Sequence, residues 1–90
     1  MIRNQLAPVL IKRVAVNAHT IRKLQRRTSG EVARSLGVDH AFYSNLEAAA
    51  KPLSMRMVER LAAVLSVDPS DLMKPTVENP YERPKWIDEE

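Results

Sequence analysis

Apolar residues recur every three or four positions over much of the chain, with capping and stop residues between the periodic stretches. Ser54 has the side chain of an N-cap, and Asp68 followed by Pro69 opens a second short helix in the same way. The run after Ser54 places its apolar residues on one face of a helix: Met55, Val58, Leu61, Ala62 and Leu65. This pattern predicts helices rather than strands.

Two further helices precede this run. Thr28 and a glutamate three residues later form a capping box, and the helix they open should end at Gly37. Asp39 caps the next helix. We expect that helix to continue to about Ala50, because Pro52 disfavours helical geometry at the residue before it.

The two ends of the chain show weaker patterns. Apolar spacing predicts a helix from about Asn17 to Arg27, whereas residues 8–16 fit either a strand or a backward extension of that helix. From Pro75 onward, three prolines and the lack of periodicity predict an extended or disordered segment.

These elements together predict an all-α fold, a compact five-helix domain over residues 17–74. A flexible N-terminal segment over residues 1–16 should precede it, and a flexible, Pro-rich acidic tail over residues 75–90 should follow. A sheet in the centre of the chain would contradict this prediction.

The composition argues against several kinds of catalytic, metal-binding and phosphate-binding site. The 90 residues contain no cysteine, which excludes disulfides, thiolate catalysis and cysteine-bound zinc. With only His19 and His40 as imidazoles and only two glycines, neither a histidine-rich metal site nor a glycine-rich phosphate loop is expected. We therefore expect no catalytic residue, metal or cofactor. The longest apolar run, Ala7 to Ile11, is too short for a membrane span or signal peptide, which predicts a cytoplasmic protein.

Charge is distributed unevenly along the chain. Residues 1–34 contain eight lysines and arginines against one glutamate, whereas residues 76–90 contain five acidic residues against two basic ones. The basic half favours a polyanionic partner such as nucleic acid, although charge alone is equally typical of a solvated surface.

The segment from Val32 to Glu47 has the features of a helix-turn-helix. Ala33 is small enough for a second helix to approach, and Gly37 turns the chain. Val38, Tyr43 and Leu46 would then bury one side of the second helix. Its opposite side would face outward with five residues suited to reading bases: Asp39, His40, Ala41, Ser44 and Asn45.

The stretch from about Ala18 to Met73 resembles the Cro/repressor class of helix-turn-helix domains, the XRE-like family that includes phage repressors. The motifs that carry the resemblance keep their order and spacing: the turn Ala33-Arg34-Ser35-Leu36-Gly37-Val38, the pair Leu46-Glu47, Ser54, the run Leu61–Val67, and Asp71-Leu72. The resemblance implies a sequence-specific, double-stranded-DNA-binding regulator of transcription, most simply a phage-type repressor that acts as a homodimer.

The resemblance also implies roles for single residues. Arg22 and Glu47 occupy positions where related repressors have a partly buried ion pair, so a structural role is expected for both. Contacts to DNA phosphates are expected from a second group: Arg26, Arg27, Thr28, Ser29 and Lys51.

Three departures from the family pattern stand out. Ser29 replaces a common glutamine, and Arg27 replaces a common leucine whose core contact Leu24 should then supply. Alanines 48–50 replace the usual glycine after the recognition helix. Because alanine adopts the left-handed cap at a cost of about 1–2 kcal/mol, we expect the helix to run on for another turn.

Two other functions fit the same sequence. An antitoxin that represses its own operon would use the tail, with Tyr81 and Trp86, to bind a protein partner. A protein-binding adaptor would use the helical body without DNA.

For dimerisation we favour the N-terminal segment over the tail. This segment is too apolar to remain exposed to solvent, since it contains five large aliphatic residues: Val9, Leu10, Ile11, Val14 and Val16. The alternative is that this segment folds back onto its own domain.

Overall fold

The computed structural model describes residues 5–75, and every structural statement below concerns that part of the chain. It contains five helices: α1 (Pro8–Leu24), α2 (Ser29–Leu36), α3 (His40–Glu47), α4 (Met55–Leu65) and α5 (Pro69–Leu72). Outside the helices, one isolated antiparallel bridge joins Gln5 to Ser54. The predicted all-α, five-helix fold is confirmed. The tail residues 76–90 lie outside the described residues.

Most of the predicted helix starts and stops are present. Thr28 accepts a hydrogen bond from the Glu31 N–H (3.0 Å) while the Glu31 carboxylate accepts one from the Thr28 N–H (2.8 Å), which completes the capping box. Gly37 ends α2 with φ +81°, and Asp39 caps α3. The helices therefore begin and end largely where local chemistry places them.

Helix α1 begins earlier than its predicted start near Asn17. Pro8 occupies the first helical position, and Val14 is fully buried with Ile11 packed against the core. The predicted boundary between residues 16 and 17 thus falls inside α1. Of the two interpretations of residues 8–16, the backward helix extension is correct, because the spacing of Ile11, Val14 and Ala18 puts them on the core side.

Helix α3 ends at Glu47, so the prediction that the alanines extend it is wrong. The chain turns at Ala49, which has φ +57°. The Ala50 N–H donates to the Asn45 carbonyl (2.9 Å) and the Ala49 N–H to the Leu46 carbonyl (3.1 Å), the pair of bonds that defines a Schellman motif. An alanine here takes the conformation that glycine usually supplies.

Candidate nucleic-acid interface

Helices α2 and α3 form a helix-turn-helix whose crossing is set by their buried sides. Ala33 and Leu36 of α2 are nearly inaccessible, and Tyr43 and Leu46 of α3 are fully buried. Val38, in the turn between them, packs against the same core. The opposite side of α3 faces solvent.

All five residues expected to read bases are exposed, at the start and on the outer side of α3. Two of these five side chains already form hydrogen bonds within the protein. The Asp39 carboxylate accepts a hydrogen bond from the Phe42 N–H (2.7 Å). Nε2 of His40 lies 2.7 Å from the Ser29 hydroxyl oxygen, so a hydrogen bond links the start of α2 to the start of α3. The structure therefore orients His40 before any ligand is present.

The residues expected to contact phosphate lie on both sides of the helix-turn-helix. Thr28 and Ser29 are at the N-terminal end of α2, and exposed Arg26 lies just before them. Lys51 follows the other end of α3, with its ammonium nitrogen 4.9 Å from the centroid of the Phe42 ring. Cationic and hydrogen-bonding groups thus flank the outer side of α3 at both ends.

Arg27 has a contact that the sequence analysis missed. Its guanidinium donates to the Val64 carbonyl (2.8 Å), and Gln25 donates to the Leu65 carbonyl (2.7 Å). The last carbonyls of a helix lack partners within the helix, so both side chains cap α4. The expectation that Leu24 replaces the lost core contact is wrong, because Leu24 is 77% exposed.

The ion pair expected between α1 and α3 is present. Arg22 donates through Nε to Oε2 of Glu47 (2.7 Å) and through a terminal nitrogen to Oε1 (3.0 Å), and each side chain is only 11% exposed. Nδ1 of His19 lies 2.9 Å from the same Oε1. Arg22 also donates to the Arg27 carbonyl (2.9 Å). This cluster joins α1 to the end of α3 and to the loop before α2.

The environment of Glu47 favours its charged form. Burial raises the pKa of the Glu47 carboxyl, but hydrogen bonds from Arg22 and His19 outweigh burial and leave this pKa below its ordinary value. Burial also raises the pKa of the Tyr43 phenol, and the neighbouring Glu47 carboxylate raises it further. Because Tyr43 and Glu47 both lie on α3, it is the pairing of the charged Glu47 carboxylate with Arg22 that ties this helix to α1.

Asn17 is a second polar contact that the sequence analysis missed. It is 5% exposed, and its Nδ2 donates to the carbonyls of Leu72 (2.9 Å) and Lys74 (2.8 Å). The middle of α1 therefore caps the end of α5. An asparagine next to Ala18, on the side of the helix that turns toward the core, was the signal available in the sequence.

Residues 5–75 contain neither a metal-binding cluster nor a membrane-spanning helix. No three acidic or histidine side chains come together there in a way that would hold a metal ion. None of the helices in that range has both the length and the apolar character needed to cross a membrane.

Comparison with known proteins agrees with this geometry. A family model described as a helix-turn-helix domain matches residues 13–73. A hypothetical transcription factor (NHTF) from Neisseria has a similar structure, with a TM-score of 0.72 and 24% identity over 87% of this chain and 91% of that one. The restriction-modification controller protein C.AhdI from Aeromonas hydrophila is similar too, with a TM-score of 0.65 and 18% identity over 69% of this chain and 94% of that one.

No curated protein matches the sequence. At these identities the two solved structures show a shared fold and nothing more. The family match, in contrast, covers well over half of the chain and spans α2, α3, α4 and α5 completely. The chain belongs to the helix-turn-helix domain family.

Proposed function

We propose that this protein is a regulator of transcription that binds double-stranded DNA sequence-specifically, with α3 in the major groove and the N-terminal end of α2 against the phosphate backbone. The observation that carries the proposal is the exposed outer side of α3, whose inner side is buried and tied to α1 through Arg22 and Glu47. A helix held in this way presents its side chains in one geometry, as base recognition requires. The protein acts by binding, without catalysis.

Each residue on the outer side has a chemically defined role in this proposal. Asn45 pairs with adenine through two hydrogen bonds, and Ala41 meets a thymine methyl group. Ser44 donates or accepts at a base edge. Asp39 uses the carboxylate oxygen that does not cap α3, and accepts from cytosine. His40 uses Nδ1, because Nε2 is engaged by Ser29.

Phosphate contacts come from both sides of α3. Lys51 supplies one after the helix, and Thr28, Ser29 and Arg26 supply the other before α2. Arg27, also expected at the phosphates, has its guanidinium committed to the end of α4. We therefore assign it the weakest contact of the group.

We further propose that the protein is a phage-type repressor that works as a homodimer in the cytoplasm of a bacterial or phage-infected cell. Helix α3 has eight residues and no arginine, so one copy reads few base pairs. Two copies on a pseudo-palindromic site would place recognition helices in successive major grooves, about 34–36 Å apart.

The dimer surface that we propose in the N-terminal segment is limited to the residues of that segment that are exposed. Val14 and Ile11 belong to the core, whereas Val9 is 52% exposed. Deleting residues 1–13 would therefore damage the core. Val9→Asp is the better test, and we expect it to shift the sedimenting species from dimer to monomer without loss of helical signal.

The DNA-binding proposal is tested by selecting bound sites from random duplex DNA and measuring affinity for the selected site and for random DNA. Asn45→Ala should lower the preference for the selected site by about 1–3 kcal/mol. Lys51→Ala should weaken both affinities alike and reduce the salt dependence. Lys23→Ala, an exposed lysine on α1, is the matched control and should change neither. Failure to select any site, with Asn45→Ala indistinguishable from the parent, would contradict the proposal and favour the protein-binding adaptor.

A further inference from the structure

A groove lies between α1 and the turn that follows α3. It has a volume of about 430 Å³ and two walls: Lys12, Ala15, Val16 and His19 on α1, and Glu47, Ala48 and Ala49 on the turn. Small alanine side chains on both walls leave the space open. The volume is within the usual range of sites that bind a small molecule or a single large side chain.

The charges around the groove are unequal. Lys12 lies on its α1 wall, and the charge of the Glu47 carboxylate is already compensated by its ion pair with Arg22. Lys12 is exposed. The groove therefore favours an occupant that combines an aromatic ring with negative charge, since a lysine ammonium interacts favourably with both.

The segment 76–90 of the same chain has this chemistry. It contains two of the four aromatic residues of the protein, Tyr81 and Trp86, and five acidic residues against two basic ones. Its acidic character complements a body whose first 34 residues contain eight basic side chains and one acid.

The attachment point puts the groove within reach. Asn17 binds the Lys74 carbonyl, so the chain leaves the described part beside the middle of α1, the helix that forms one groove wall. Trp86 follows Pro75 by eleven residues, an extended reach of roughly 36 Å. A helix with its side chains is only about 10–12 Å across, so the segment is long enough to pass around α1.

We propose that this groove is the docking site of segment 76–90, with Trp86 as the side chain that enters it. Docking within one chain is favoured over capture of a separate molecule, because a short linker gives an effective concentration in the millimolar range. The proposal concerns the surface between α1 and the α3–α4 turn, and its test needs no DNA.

Trp86 is the only tryptophan and reports its own environment. In the full chain, we expect its emission to be blue-shifted and its quenching by acrylamide to be several-fold weaker than in a free peptide of residues 76–90. Val16→Lys, which puts a charge on the groove wall, should raise quenching to the peptide level. Leu24→Lys, an exposed position on α1 outside the groove, is the matched control and should leave quenching at the parent level. Circular dichroism confirms that both variants are folded.

Three results would overturn the proposal. The first is quenching of the parent as strong as that of the peptide, and the second is an unchanged signal in Val16→Lys. The third is a signal that disappears on dilution, which would show that the groove takes the segment of a second copy. Quenching that is independent of concentration and that increases with added salt supports docking within the chain, because salt screens the attraction between unlike charges.

Discussion

The two ends of helix α3 form the same turn from different residues. Before α3, Gly37 has φ +81°, with bonds from the Gly37 N–H to Arg34 and from the Val38 N–H to Ala33. After α3, Ala49 has φ +57° and makes the corresponding two bonds. One end has the residue that favours a left-handed cap, and the other has a residue that opposes it.

The difference shows which forces shape each end. Glycine and the Asp39 cap make the first turn favourable from local chemistry alone. The second turn needs help from the rest of the domain, which comes from the Arg22–Glu47 pair, from Leu53 at 2% exposure, and from the bond between the Leu6 N–H and the Leu53 carbonyl (2.8 Å). Tertiary contacts thus outweigh an unfavourable cap.

Removing the ion pair between Arg22 and Glu47 should have the largest effect on the stability of the domain. We expect Glu47→Ala to lower the free energy of unfolding by about 3 kcal/mol, because Arg22 is then left partly buried without its carboxylate partner. Urea denaturation measures this value. Glu59→Ala, an exposed glutamate on α4, is the matched control and should change stability by less than about 0.5 kcal/mol. Equal stabilities for the two variants would show that the pair does not hold α3.

The same pair predicts a dependence on pH. The pKa of Glu47 is lowered in the folded state, so the unfolded chain takes up the proton first as the pH falls. The stability from this group is therefore complete above its ordinary pKa near 4.5 and is lost as the pH drops through the lower folded value. Denaturation curves collected over this range should show a smaller acid loss for Glu47→Gln than for the parent.

At the other end of α3, we expect Gly37→Ala to destabilise the domain by about 1–2 kcal/mol. A Cβ atom there would lie 3.6 Å from an Arg60 nitrogen, an ordinary contact, so the loss comes from backbone conformation. Gly30→Ala is the control: Gly30 lies within α2 and its added Cβ meets nothing closer than 3.9 Å, so this variant should gain up to about 1 kcal/mol. Thermal unfolding of both distinguishes a backbone effect from a steric one.

The smallest expected effect is a gain in stability at the turn after α3. Ala49→Gly should raise the free energy of unfolding by about 0.5–1 kcal/mol, because glycine adopts the left-handed conformation without strain. Ala48→Gly, one residue earlier and at φ −88°, has no strain to relieve and should lose a similar amount. Should both variants lose stability alike, the alanine cap would not be strained.

The same contrast explains which elements the sequence predicts. Caps such as Thr28, Asp39 and Ser54 act on their own neighbours, so their chemistry is visible in a few consecutive letters. The end of α3 depends on residues distant in sequence and was misplaced for that reason. The start of α1 has Pro8 as a local signal, but the apolar residues at positions 8–16 also fitted a strand.

The features of the candidate site also separate into those that local sequence patterns predict and those that depend on residues distant in sequence. Helical periodicity alone places the exposed side of α3, and the resemblance placed Arg22 opposite Glu47. The link between Ser29 and His40 and the capping of α4 by Arg27 join residues 11 and 37 positions apart. Such contacts form only once the helices have packed, and no local pattern encodes them.

The hydrogen bond between Ser29 and His40 couples two positions that any redesign of the proposed DNA specificity would need to change. A replacement at His40 alone also releases the Ser29 hydroxyl at the start of α2, so one substitution would alter the proposed base contact of His40 and the proposed phosphate contact of Ser29 together. Variant libraries should therefore randomise the two positions jointly, because the best partner at one of them depends on the residue chosen at the other.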